Sequence, residues 1–249
     1  RIQQAAYALI PDHQKAATHI KVGRLLLKQT PPDRLDDVLF DAVNSLNLGR
    51  SLITNPKEQR QLVQWNFKAG QKAKASAAYR SALYYLETAL ELLPSEAWQV
   101  SYDLALNLHL QAAEVAYLAT DYARSHSLVQ CIQHRAKPGL DQAKAYEIQI
   151  QFHMAQSQLS EAIAAGLTAL KQLEIDLPDI ESVEECDRLS QTLTLPALDR
   201  LDDLPEMTDP RYLAALGIIR TVVSPAYQAN PTTFYRLILA QVKLCLAHG

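Results

Sequence analysis

Glycine is scarce, with seven in 249 residues, and no two lie within twenty residues of each other. That spacing excludes both the P-loop and the dinucleotide fingerprint, because each clusters glycines to bring backbone amides against phosphate. Cysteine is scarcer. Cys131, Cys186 and Cys245 are odd in number and never form a CxxC pair, so neither a disulfide framework nor a zinc site is expected, and the reduced thiols of a cytoplasmic protein fit best. No HExxH, HRD or DFG occurs, which removes a helical zinc protease and a protein-kinase core. The longest apolar run, "YLAALGII" at 212–219, ends at Arg220 and is too short to cross a bilayer, so no membrane partner is expected. A formal charge of −3 creates no field that would gather nucleic acid. There is no initiator Met, and the sequence reads as a piece of a longer chain.

What is present is helix. Ala, Leu, Gln, Glu and Lys dominate, and no alternating Val/Ile/Thr runs appear between turn residues, which predicts an all-α fold. "RIQQAAYALI" predicts a short helix stopped by Pro11. Asp12 can cap the next, whose Ala16, Ile20, Gly23 and Leu27 form one stripe ending at Pro31 and Pro32. Leu35, Val38, Leu39, Ala42, Val43 and Leu46 follow at spacings of three and four. Asn55 and Pro56 start another helix, since proline suits a first turn. Near the C-terminus, one helix is expected to end near Pro225 and another to start at Pro231 after an Asn230 cap.

Charge is unevenly placed. Residues 13–80 hold twelve Lys/Arg against five Asp/Glu, whereas 176–206 hold two against ten. Lys68 and Lys72 share a helix face with Lys74 and Arg80 nearby, a patch able to meet phosphate or an acidic peptide if it is not simply a solvated face. Potential chemistry is thin. His126 and His134 lie eight apart around Cys131, but the cysteine points elsewhere on the helical wheel. His109 and Glu114 lack a third orienting group. Glu184, Glu185 and Asp187 should raise the Cys186 thiol and dull it. No catalytic, metal or cofactor-binding residue is expected in this segment.

Between 58 and 174 the pattern repeats. Leu62, Asn66, Ala69, Gly70 and Ala73 form one stripe; Tyr79, Ala82, Leu83, Leu86, Ala89, Leu90 and Leu93 form the next, before Pro94. Small side chains allow two antiparallel helices to approach, so Gly70 is expected to face Ala82 and Ala89 while Leu86 fills between ridges. The spacing from Gly70 through Ala82, Leu86, Ala89 and Pro94 resembles the tetratricopeptide repeat. Weaker copies run through Ala113, Ser125, Val129, Ile132 and Pro138, then Ile150, Ala162, Gly166, Ala169 and Pro178. Their offsets of 43 and 37 residues exceed the usual length of about 34, implying divergent repeats with longer helices or loops.

This resemblance implies antiparallel helix pairs stacked as a TPR-like α-solenoid. The expected organisation is an N-terminal helical segment over 1–57, three divergent helix pairs over 58–178, an acidic linker or insertion over 179–207, and a further pair, cut short, over 208–249. If first helices line a concave groove as in that family, Gln64, Phe67, Gln71, Lys74, Asn107, Leu110, Glu114, Tyr117, Lys144, Glu147 and Gln151 face it. That mixed polar and aromatic set suits a protein or peptide partner.

At larger scale "RIQQAAYALIPDHQKAATHIKVGRLLL", "LFDAVNSLNLGRSLI", "YYLETALELLP" and "SPAYQANPTTFYRLIL" resemble the helical region just after the predicted STAND-type ATPase core in large bacterial multi-domain serine/threonine kinase–sensor histidine kinases. The resemblance implies that kinase, ATPase and phospho-acceptor residues lie outside this piece. It further implies that the piece is a non-catalytic interaction and regulatory module, contacting a protein partner, a ligand or neighbouring domains of its parent. The alternative is the effector-sensing repeat region of a STAND-type transcription activator, which carries its DNA-binding domain elsewhere.

Overall fold

The computed structural model describes residues 10–193 and 204–249. Among these are twelve α-helices, two short 3₁₀ turns and no strand: the fold is all-α. The helix expected over residues 1–10 and part of the acidic segment lie outside the described residues. The chain divides after Asp121 into two compact units.

The first unit contains α1 (Asp12–Gln29), α2 (Leu35–Leu48), α3 (Pro56–Ala75), α4 (Tyr79–Leu92), the single-turn α5 (Ala97–Val100) and α6 (Tyr102–Leu118). α1 packs on α2, α2 on α3, α3 on α4 and α4 on α6, so helices meet in chain order. The expected stripes are the ones that go inside: Leu39, Ala42, Val43, Leu46, Leu62, Ala69, Ala73, Ala82, Leu86 and Ala89 are all buried. Asn55 caps α3 as expected, its side-chain oxygen accepting from the Lys57 amide at 2.8 Å, with Pro56 in the first turn. Asp12 does not cap α1. It is the first helical residue and pairs with Lys15 one turn on.

Close approach within the pairs rests on glycine. A Cβ on Gly70 would lie 2.7 Å from Leu86 Cγ and 3.4 Å from the Ala82 carbonyl oxygen. Leu86, rather than Ala82 or Ala89, is therefore the side chain seated on Gly70; Ala82 offers only its backbone. The α1–α2 pair repeats this arrangement, since a Cβ on Gly23 would lie 2.7 Å from Leu46 Cγ and 3.0 Å from the Ala42 carbonyl oxygen. In both, an alanine stands four residues before the seated leucine.

The seam between these pairs holds one buried polar pair among apolar residues. Asn47 and Asn66, both fully buried, exchange amide hydrogen bonds of 2.8 and 2.9 Å, and Asn66 also donates to the Leu62 carbonyl at 3.0 Å. Their amides are thus largely satisfied, as burial requires.

The second unit holds α7 (Tyr122–Arg135), α8 (Leu140–Ala155), α9 (Leu159–Gln172), α10 (Val183–Gln191), α11 (Pro210–Ala229) and α12 (Pro231–His248). Its core joins Ile150, Ala162, Ala169 and Leu170 to Ile218, Ile219, Val222 and Leu237. α9 packs on α8, and α11 on α8, α9 and α12. α11 does not stop at Pro225 but runs through it to Ala229. The missing amide costs one hydrogen bond, and Pro225 is itself buried. Asn230 caps α12 through the Thr233 amide at 3.0 Å. Within the acidic segment, α10 rests on α12 along Ile180, Cys186 and Leu239.

Four helix ends share one turn. Ala77, Thr120, Ser157 and Glu174 have φ of 55, 64, 59 and 56°, the left-handed region, although none is glycine. After each, the next residue's amide reaches back five positions: Ala78 to Ala73 at 2.9 Å, Asp121 to Ala116 at 2.9 Å, Gln158 to His153 at 2.9 Å, and Ile175 to Leu170 at 3.0 Å. This closes the orphan carbonyls of each helix in the Schellman manner.

Candidate functional site

In the first unit, α3 and α6 present most of the residues expected to face a groove. Phe67 and Leu110 are half-buried; Gln64, Gln71 and Asn107 are exposed. Lys74 and Glu114 meet at 2.8 Å, both about three-quarters buried, and Lys74 also donates to Gln111 Oε1 at 3.2 Å. One cation thus ties α3 to α6 while polar and apolar side chains flank it. Tyr117 is half-buried one turn beyond Glu114. Gln111 escaped the sequence reading, though its place three residues before Glu114 on the same face was a usable signal.

The remaining expected residues belong to α8 in the second unit. Lys144 and Glu147 pair with each other at 2.8 Å. Glu147 also lies against α11, where a Cβ on Gly217 would be 2.6 Å from its Oε1. Gln151 is half-buried.

The basic patch is largely spent internally. Lys68 pairs with Asp36 at 2.6 Å, and Lys72 donates to the Asp36 carbonyl at 2.6 Å while sitting 5.6 Å from the centre of the Phe40 ring. Those contacts bind α3 to the start of α2. Arg24 and Glu58 add a two-armed pair, both bonds 2.8 Å, between α1 and α3. No local spacing could announce it, since 34 residues separate the partners.

The weak chemical candidates disperse. His109 Nδ1–H donates to the Ala105 carbonyl at 2.7 Å and its ring lies 4.9 Å from Trp98, while Glu114 is held by Lys74. His126 packs on Phe152 at 5.4 Å, and His134 Nδ1–H donates to the Gln130 carbonyl. Among the described residues no three His, Cys, Asp or Glu side chains gather as metal ligands. The Cys186 thiol is raised as expected, but chiefly by burial on α12, with Asp187 adding the smaller electrostatic part. Among the same residues no helix is long and apolar enough to cross a membrane.

These features define an all-α protein whose helices, within each of its two units, pack largely on their neighbours in the chain, with a polar, aromatic-flanked face on α3 and α6. No family model matches the chain. In an alignment 183 positions long that covers 61% of the chain, it is 26% identical to hybrid signal transduction histidine kinase G of Dictyostelium discoideum. The matched stretch is 5% of that much longer protein.

Proposed function

We propose that this chain is a non-catalytic helical-repeat module of a multi-domain signal-transduction kinase, and that it captures a protein or peptide segment on the α3–α6 face. Partner capture would then bias the state of ATPase and kinase domains carried elsewhere in the parent. The observation that carries this reading is the Lys74–Glu114 bridge set among Phe67, Leu110 and exposed amides: half-buried apolar anchors beside oriented polar groups are what a docking peptide requires. The similarity to a hybrid signal transduction histidine kinase supports the signalling context. Helices that pack in chain order supply a mechanical reason, because a small rotation at each neighbour contact accumulates along a stack.

The test is affinity capture by the chain and by a Phe67→Ala/Leu110→Ala variant, with helicity followed by circular dichroism. The variant should keep its helicity and lose the captured protein. Equal capture by both would reject this face. Lys74→Glu should weaken capture, and adding Glu114→Lys should restore the bridge and much of the binding.

A further inference from the structure

In the first unit, α1, α3 and α6 are joined to one another differently from the helices they pair with. α1 packs along α2, and α3 along α4, each on a glycine that admits a leucine. By contrast, α6 runs close to α4 but approaches α3 at only a few points, and the α1 and α3 backbones come close at fewer still. A cavity of about 270 Å³ opens between α1 and α3, lined by Leu27 and Lys28 on one side and Gln61 and Leu62 on the other. The second unit shows the alternative, since α11 packs closely along both α8 and α9.

An ion pair crosses each sparse joint. Arg24 reaches from α1 to Glu58 of α3 through two bonds of 2.8 Å. Lys74 reaches from α3 to Glu114 of α6 at 2.8 Å and to Gln111 at 3.2 Å. The pairs sit at opposite ends of α3, which spans Pro56–Ala75. Sparse packing leaves little dispersion attraction to fix an angle, so the angle depends on what spans the gap. Ion pairs that water reaches hold weakly and are screened by salt. The Arg24 side chain is 54% exposed, whereas those of Lys74 and Glu114 are 24% and 27% exposed.

We propose that the α1–α3 and α3–α6 joints are hinges, and that Arg24–Glu58 and Lys74–Glu114 are the struts that set their angles. The packing fixes which side of each hinge opens. Asn47 and Asn66 hold α2 against α3, so the first opens between α1 and α3. α4 packs on α6, so the second opens between α3 and α6. The use of this device rests on the docking role of the α3–α6 face: a partner that engages Lys74 or Glu114 there releases the second strut. The hinges themselves are tested with no partner present, so their failure and a failure of capture read separately.

Nitroxide labels attached through p-azidophenylalanine leave the native cysteines untouched and report distances by pulsed electron resonance. One pair, at Lys21 and Asn107, spans both joints from exposed positions on α1 and α6; a control pair, at Lys57 and Ser81, stays within α3 and α4. Raising salt from about 0.01 M to about 1 M shortens the screening length from about 30 Å to about 3 Å. That change alone should broaden the α1–α6 distribution, chiefly through the more exposed Arg24 strut. At low salt, Arg24→Gln/Lys74→Gln should broaden it further and shift its mean by about 5 Å, the travel of the end of a helix about 30 Å long tilted by about 10°. Exchanging the charges of the first strut, Arg24→Glu/Glu58→Arg, should narrow the distribution relative to Arg24→Glu alone. The control distance should hold throughout. The proposal is overturned if low and high salt give the same distribution, if the Gln double variant matches the unaltered chain, or if the control pair broadens equally.

Discussion

Gly70 lies beneath Leu86 with no room for a methyl group, so the usual benefit of replacing a helical glycine by alanine is reversed. Alanine would gain about 1 kcal/mol in helix propensity, but the contact with Leu86 must open. Overpacking of this kind costs about 1–3 kcal/mol. Gly70→Ala is therefore expected to lower the urea midpoint. Leu86→Ala alone should cost about 2–5 kcal/mol, and the double variant should lose less than the sum, because each change makes space for the other. A raised midpoint for Gly70→Ala would contradict the close approach. The sequence announced that approach through a glycine inside an apolar stripe. It did not announce which side chain would fill it, since Ala82, Leu86 and Ala89 share one helix face and only the crossing of α3 over α4 selects Leu86.

Helices α4, α7 and α9 are fourteen residues each, and each begins two residues after a left-handed turn residue. The turns at Ala77, Thr120 and Ser157 carry the repeat offsets of 43 and 37. The difference between those offsets therefore falls elsewhere, mainly in the segment containing α5 between α4 and α6. From composition alone this could have been longer helices or longer loops; the turn geometry decides for the loop. The αL conformation disfavours a Cβ by about 1–2 kcal/mol. Ala77→Gly should accordingly raise stability by about 0.5–1 kcal/mol, the reverse of its effect in mid-helix. An unchanged or lower denaturation midpoint would refute that turn. Other element boundaries were less legible. "SVEE" is a helix-start signal inside an acidic stretch that reads as linker: Ser182 Oγ accepts from the Glu185 amide at 3.2 Å, and the Glu185 carboxylate accepts from the Glu181 amide at 3.0 Å. Pro225 misled in the opposite direction, because tertiary packing of α11 against α8 and α9 outweighs one lost backbone bond.

Across the molecule, titration should be felt most on the alkaline side. Burial raises the phenols of Tyr85 and Tyr146, outweighing the smaller opposing effect of their hydrogen bonds to Asn44 and Gln172. Burial likewise raises the thiols of Cys131 and Cys186. For such groups the folded state favours the neutral form. Their contribution is complete below the unfolded pKa and declines as pH climbs through it toward the higher folded value. Melting temperature should fall between about pH 9 and 11, and Tyr85→Phe/Tyr146→Phe should flatten part of that fall; an identical slope would remove these phenols as its cause. The candidate face was only partly legible at this scale. Lys74 and Glu114 follow from the repeat register, but Glu147 is occupied by α11, an element far along the chain that no local pattern ties to α8. The apparent basic surface dissolved for the same reason, since Asp36 lies 32 residues before Lys68 and still claims it.

The reciprocal amides of Asn47 and Asn66 have a mechanical consequence. Sliding α2 along α3 by one residue would break both bonds at once and strand their polar atoms in a dry seam, so this joint has a single stable tooth. A displacement imposed on α2 is then passed to α3 instead of being lost as slip. The amide pair acts as a latch on a contact that its aliphatic neighbours alone would leave free to slide.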